Sequence, residues 1–122
     1  MRKILMLCLV LLLTGCGQEK TTADWIAQLR DKDAARRLEA VKELGKRESE
    51  LEVVVPALAE ALKDNNGYVR RDAAVALGKL GPGASSAVSA LRAAKKDKER
   101  SVRKAASDAL EKLGAADKAG AR

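Results

Sequence analysis

The sequence predicts an all-α fold, a right-handed α-solenoid of about three helical hairpins that repeat every 33 residues. The first observation is the repeat itself, in which identical residues recur at this spacing. The repeating columns are Asp31, Asp64 and Asp97; Arg37, Arg70 and Arg103; Ala40, Ala73 and Ala106; Leu44, Leu77 and Leu110; and Lys46, Lys79 and Lys112. The second is composition, because Ala and Leu with many charged residues favour helices, and aromatic residues number only two, Trp25 and Tyr68.

The first sixteen residues form a segment of their own. Arg2 and Lys3 precede an apolar run, residues 4–13, that is too short to span a bilayer as a helix but has the length of a secretory signal. The run ends in Leu13-Thr14-Gly15-Cys16, which resembles the lipobox of bacterial lipoproteins. The resemblance implies a signal peptide over residues 1–15, removed by cleavage before an acylated Cys16. The alternative is a buried helix followed by a chance cysteine.

A lipid-modified Cys16 predicts an exported protein that is held at a membrane of the cell envelope. Cys8 would leave with the signal, so no free thiol would remain for a disulfide or for catalysis. Gly17 rather than Asp follows the cysteine. By resemblance to enterobacterial sorting, this favours the outer membrane, facing the periplasm, if the host has one.

The first repeat begins after a short tether, residues 16–22. Thr21 stands three residues before Asp24, a spacing that is typical of an N-terminal cap. The apolar positions predict a first helix over about residues 23–30 and a second over about 34–44. Gly45 is a natural stop.

The second and third repeats follow the same plan. Ser49 and Glu52 read as a capping box that opens the second hairpin, in which Pro56 must kink the helix or mark a later start. We expect Ser85 or Ser86 to cap the first helix of the third hairpin and Gly114 to end its second helix. The repeat domain then covers residues 23–114, and 115–122, which lack a large apolar residue, are expected to be disordered.

Residues 68–78 and 101–106 resemble HEAT repeats, specifically the short, alanine-rich subtype also found in phycobilisome lyases. Repeat 1 departs from the pattern, because Arg36 replaces the valine seen in the other repeats and Arg47 stands where Leu80 and Leu113 are. The family resemblance implies a structural ladder, in which turn aspartates bind second-helix arginines of their own and neighbouring repeats. The expected pairs are Asp31 with Arg37, Asp64 with Arg70, and Asp97 with Arg103.

The residues point away from enzymatic chemistry. The chain has no His, and its serines fall at caps and turns, where capping outweighs a conceivable Ser–Lys pair. Carboxylates are scattered, so we expect no metal site. The sequence lacks a glycine-rich phosphate loop, so we expect no cofactor. We therefore expect a protein that is not an enzyme and has no catalytic residues.

A basic stripe is the strongest candidate for a binding surface. The i, i+4 rule places residues 38, 42 and 46 on one side of a second helix, and the period extends this side to the other repeats. The stripe holds one acidic residue, Asp108, and six basic residues: Lys42, Lys46, Arg71, Lys79, Lys104 and Lys112. Such a stripe would attract an acidic protein surface, a lipid head group or a teichoic-type polymer. The simpler alternative is a solvated helix face. A second basic run lies at residues 92–104.

Two functions remain open at this stage. The first is a membrane-anchored, non-catalytic scaffold that binds another envelope protein, perhaps an acidic one. The second is an accessory or lyase-like component that positions a substrate for an enzyme. The chain carries a net charge of +7, but nucleic acid is not an expected partner, because the address is extracytoplasmic and no aromatic stacking set accompanies the charge. The partner and the oligomeric state are not encoded in these patterns.

Replacing the lipobox cysteine tests the predicted address. Cys16→Ala should leave an uncleaved and unacylated precursor, because the thiol is both the acylation site and the mark for cleavage. The measurement is the mass of the membrane-extracted protein with metabolic labelling by a fatty acid. A mutant with the same mature mass and the same membrane recovery as wild type would contradict the lipoprotein assignment.

Overall fold

A computed structural model describes residues 18–115 of the chain. The signal segment 1–15, Cys16 and tail residues 116–122 lie outside the described residues. The helices are α1 Thr22–Gln28, α2 Ala34–Leu44, α3 Leu51–Ala61, α4 Gly67–Leu80, α5 Val88–Ala94 and α6 Arg100–Lys112, and two 3-10 helices span Glu48–Glu50 and Gly81–Ala87. The six α-helices form three successive hairpins, and the second helices α2, α4 and α6 pack side by side. The predicted α-solenoid is therefore confirmed.

The repeating leucines and alanines form the core of the stack. Leu44, Leu77 and Leu110 are at most 2% exposed, and Ala40 and the two alanines that follow it in its column are fully buried. Leu58 and Leu91 of the first helices are also fully buried, whereas Trp25, which shares their column, is only partly buried. Each hairpin thus buries its apolar side against the next one, as a solenoid requires.

Two glycines one repeat apart set the close approach of the second helices. A Cβ on Gly45 would lie 2.9 Å from the Cβ of Ala76, and a Cβ on Gly78 would lie 3.1 Å from the Cα of Ala109. Both distances are shorter than ordinary van der Waals contact, so a larger residue would force the helices apart. Gly45 was expected only to stop a helix. Its backbone is right-handed, with φ at −63°, and its packing against Ala76 is the feature that requires glycine.

The helix starts are capped by residues that the sequence identified only in part. The predicted cap at Thr21 and Asp24 is present, since the Asp24 amide donates to Thr21 Oγ1 at 3.2 Å and the Thr21 amide donates to Asp24 Oδ2 at 2.8 Å. The side chains of Asp33 and Asn66 cap α2 and α4 by accepting amides of the first turn. Helix α1 is shorter than predicted, because Leu29 and Arg30 already belong to the turn.

The capping box predicted at Ser49 and Glu52 is wrong. Ser49 lies inside a 3-10 helix, and α3 begins at Leu51 without a side-chain cap. Pro56 lies inside α3 rather than at its start. Pro56 has no amide hydrogen to donate to the Glu52 carbonyl, and both residues are exposed.

The cap predicted at Ser85 or Ser86 is also wrong. Both serines belong to the 3-10 helix Gly81–Ala87, and α5 begins at Val88 with no side-chain cap. Ala84 and Ala87 are buried, and Ala84, with φ at −95° and ψ at 18°, forms a kink within this segment. Burying this alanine pair turns the serines outward, where they are exposed.

Arg47 gives the irregular first repeat a different role. It occupies the column of Leu80 and Leu113, and its Nη1 donates to Thr22 Oγ1 while Nη2 donates to the Lys20 carbonyl, both at 3.1 Å. The Lys20 ammonium in turn lies 4.4 Å from the Trp25 ring centroid. Arg47 therefore fastens the start of α1 to the end of α2.

Truncating a core leucine should be far more harmful than truncating a lysine two residues away. Leu77→Ala removes a fully buried side chain and should lower the free energy of unfolding by roughly 2–5 kcal/mol. Lys79→Ala should change it by less than about 0.5 kcal/mol, because Lys79 is exposed. Urea unfolding followed by circular dichroism measures both. Equal losses would mean that the buried and exposed faces of α4 are assigned incorrectly.

Candidate functional site: the second-helix face and its arginine ladder

The ladder arginines join neighbouring repeats rather than closing only their own turn. Arg37 Nη1 donates to the carbonyl of Asp31 at 2.8 Å, and its Nε and Nη2 donate to the carboxylate of Asp64 at 2.9 and 3.2 Å. Arg70 repeats this pattern with the Asp64 carbonyl at 2.7 Å and the Asp97 carboxylate at 2.9 and 3.2 Å. The carboxylate partner is thus the turn aspartate of the next repeat.

This arrangement corrects the pairing within each repeat. Among the described residues, no side-chain ion pair joins Asp31 to Arg37, Asp64 to Arg70 or Asp97 to Arg103; the arginine reaches only backbone carbonyls of its own turn. The physical reason is that each aspartate carboxylate already accepts an amide of its own turn: Asp64 Oδ1 accepts from the Asn66 amide at 2.9 Å. The remaining edge of the carboxylate faces the preceding repeat, where a bidentate arginine fits.

Burial and charge act in opposite directions on Asp97. Burial alone would raise the pKa of Asp97, but the hydrogen bonds from Arg70 and from the Glu99 amide, with the positive charge of Arg70, outweigh it and hold the pKa below its ordinary value of 3.8. The Arg70 and Asp97 side chains are 7% and 11% exposed. The folded state therefore favours the ionised carboxylate.

The six stripe residues lie around two grooves between the second helices. Lys42, Lys46 and Lys79 line the groove between α2 and α4, and Arg71, Lys104 and Lys112 line the groove between α4 and α6. Val75, 38% exposed, lines both grooves. The structure therefore places all six predicted residues on one face.

Three acidic residues share this face, and the sequence analysis counted only one of them. Asp108 was in the stripe, but the grooves are also lined by Glu43 and Asp72. Each acid pairs with a basic residue of the face: Glu43 with Lys46 at 2.8 Å, Asp72 with Arg71 at 3.0 Å and Asp108 with Lys104 at 3.0 Å. The i, i+4 spacing selects one row of residues along each helix. It therefore leaves out Glu43 and Asp72, which directly follow stripe residues in the sequence.

Three basic residues of the face remain without an ion pair within residues 18–115. They are Lys42, Lys79 and Lys112. The face therefore keeps a positive balance of six basic against three acidic side chains.

The floors of the grooves are small and apolar. Gly45 and Ala76 lie in the first groove, and Gly78, Ala105 and Ala109 in the second. Each groove has a volume of about 280 Å³. Cationic rims around shallow apolar floors can bind acidic and apolar side chains of a protein surface.

The face has few groups suited to catalysis or to metals. Ser101 lines the groove between α4 and α6, and the Lys104 ammonium of the same groove is bound to Asp108 at 3.0 Å. No group of three or more Asp, Glu or Cys side chains in the described part of the chain is arranged to hold a metal ion. Within residues 18–115, none of the helices combines the length and the hydropathy needed to cross a bilayer.

Comparison with known families decides the classification. A sequence profile described as HEAT repeats matches residues 22–111. The chain belongs to the HEAT-repeat family. The ladder and the second-helix face are thus features of a HEAT-repeat stack.

A solved structure supports the subtype that the sequence indicated. The protein is similar to a chain in the complex of CpcE and CpcF of phycocyanin lyase from Nostoc sp. PCC7120, with 36% sequence identity and a TM-score of 0.70. The match covers 80% of this chain but only 38% of the other. Comparison with curated protein sequences gives no match.

Acid should remove the contribution of the Arg70–Asp97 rung. The pKa of Asp97 is lowered in the folded state, so its contribution is present above the unfolded pKa and is lost as the pH falls through the folded pKa. Asp97→Asn should therefore be less stable than wild type by roughly 1–3 kcal/mol at pH 7, and the gap should narrow below pH 3.8. Urea unfolding of wild type and Asp97→Asn, at pH 7 and below pH 3.8, measures this difference in stability.

Asp108→Asn is the matched control. Asp108 is half exposed and paired with an exposed lysine, so its loss should change stability by less than about 0.5 kcal/mol at either pH. A gap for Asp97→Asn that stays constant down to pH 2 would contradict the assignment.

Proposed function

We propose that this HEAT-repeat protein is a non-catalytic scaffold, anchored at a bacterial envelope membrane through a lipid on Cys16, that binds another envelope protein on its second-helix face. The observation that carries the proposal is the grouping of six basic residues around two apolar-floored grooves on that face. An acidic partner surface would be attracted to the excess positive charge and held by apolar contacts in the grooves.

The geometry suits a protein partner better than a small molecule. The grooves are shallow and lie side by side, separated by the Val75 side chain. Small-molecule sites bury most of their ligand in a deep pocket, whereas a protein surface can lay several side chains across neighbouring grooves. Rigid helices joined by ladder bonds would also hold the face in one shape, which reduces the ordering cost of binding.

The tether supports a position close to the membrane surface. Arg47 holds Lys20 and Thr22, and Thr21 follows Cys16 by only five positions. A fully extended chain of that length spans at most about 18 Å. A lipid on Cys16 would therefore keep the first hairpin near the lipid head groups. Gly17 favours the outer membrane, facing the periplasm, in a host that has one.

A second candidate function is an accessory, lyase-like component that positions a substrate for an enzyme. The observation that favours it is the similarity to a chain in the CpcE–CpcF complex of phycocyanin lyase. The two functions differ in what happens to the bound protein. A scaffold leaves the mass of its partner unchanged, whereas an accessory of this kind is needed for a covalent change in the partner, which mass spectrometry with and without the chain would detect.

Charge reversal of the unpaired lysines tests the binding face. Lys42→Glu, Lys79→Glu and Lys112→Glu together leave the ladder and the three ion pairs of the face intact, so helicity should not change. Capture of the partner from native membranes should fall by about tenfold or more, because the mutations replace attraction with repulsion. The capture by wild type should also weaken as salt rises.

A matched variant carries the same charge change elsewhere. Arg30, Lys32 and Lys63 are exposed turn residues outside both grooves, and their reversal to Glu should leave capture of the same proteins nearly unchanged. If both triple variants lose capture equally, net charge rather than the second-helix face determines binding, and the proposed site is incorrect.

A further inference from the structure

Within residues 18–115, the last arginine of the ladder, Arg103, makes only half of the bonds that Arg37 and Arg70 make. Arg103 Nη1 donates to the carbonyl of Asp97 at 2.7 Å and to that of Lys98 at 3.0 Å, as the earlier arginines bond their own turns. In Arg37 and Arg70 the Nε and Nη2 groups bind the aspartate of the next repeat. Among residues 18–115, Arg103 Nε and Nη2 have no corresponding carboxylate.

The acidic residues of the same turn point away from this open edge. The carboxylate of Asp97 is bound by Arg70 at 2.9 Å. The Glu99 side chain extends toward α4, because a Cβ on Gly67 would lie 3.3 Å from Glu99 Cγ. The basic residues around the turn have no ion pair within the described part of the chain; they are Lys95, Lys96, Lys98 and Arg100. Basic residues therefore outnumber acidic ones around Arg103.

We propose that Arg103 and the basic turn before it, residues 95–100, are a second interaction site, which binds an aspartate or glutamate on an acidic turn of a partner protein. Two carbonyl bonds already fix the guanidinium of Arg103 in the orientation that Arg37 and Arg70 use. An incoming carboxylate would form the same bidentate pair without ordering the arginine first. The site is independent of the second-helix grooves.

The end of the stack is shaped for a turn rather than for another closely stacked repeat. Ser107 and Glu111 stand one repeat after Ala74 and Gly78. Gly78 lets α6 approach α4 so closely that a Cβ on Gly78 would lie 3.1 Å from Ala109 Cα. The side chain of Glu111, at the equivalent position of α6, would block the same approach by a following helix. Arg103 and Glu111 are eight residues apart, or about 12 Å along a helix. A loop can therefore reach Arg103 without touching Glu111.

Side-chain NMR of the arginines tests the open rung in the full mature chain. The probe is a synthetic peptide that copies residues 61–69, which carry the aspartate of an internal rung. Titration should shift the Arg103 Nε–Hε signal and leave those of Arg37 and Arg70 unmoved, since the latter are already bound. The same peptide with Asp64→Asn should produce no shift, because it lacks the carboxylate.

Two arginine-to-lysine variants separate a bidentate site from a merely basic surface. Arg103→Lys keeps the charge but loses the planar fork, and should weaken peptide binding about tenfold. Arg100→Lys, an exposed neighbour, should weaken it less than twofold. Equal effects of the two variants would overturn the proposal, leaving only diffuse attraction.

Two further results would also overturn it. Inorganic phosphate that shifts the Arg103 signal at lower concentration than the peptide would indicate a phosphate site instead of a carboxylate site. Asp117→Asn that binds the peptide much more tightly than wild type would show that the chain's own end already fills the rung. Unchanged binding by Asp117→Asn, together with the loss in Arg103→Lys, supports a site for a partner.

Discussion

The bidentate bond from the arginine of one repeat to the turn aspartate of the next is the interaction on which the stack depends. Leucines and alanines supply the apolar surface, but they would tolerate small slides between hairpins. Arg37 and Arg70 do not tolerate such slides, because each binds a backbone carbonyl of its own repeat and the aspartate carboxylate of the next repeat. The rungs therefore set the register in which Gly45 meets Ala76 and Gly78 meets Ala109, and that register in turn forms the two grooves.

The repeat period was enough to predict the fold, because a column of identical residues in a solenoid reports the same environment three times. Leu44, Leu77 and Leu110 are buried as expected. The residues at which individual helices begin were harder to predict. Ser49 and Ser86 have the chemistry of caps, yet both lie in 3-10 turns, and beside Ser86 the chain buries Ala84 and Ala87. Propensity at one residue cannot reveal such tertiary competition.

The candidate site shows the same limit. Helical spacing brought the six basic residues onto one face correctly, but spacing along single helices did not show that Glu43 and Asp72 fold into the same grooves. The ladder was identified from a family resemblance, whereas its direction depends on which edge of each aspartate is already used by its own turn. Edge occupancy is a property of three-dimensional hydrogen bonding and leaves no mark in the order of residues.

Arg47 has a mechanical consequence. A tension applied to the chain before Lys20 would ordinarily peel α1, a helix of seven residues, from one end. Here the Lys20 carbonyl and the Thr22 hydroxyl are both bound to Arg47 at the far end of α2. Part of the load therefore passes directly to the end of α2, which packs against α4 and is tied by the Arg37 rung to the turn before α4. A pull at the entrance of the first hairpin is therefore shared between its two helices.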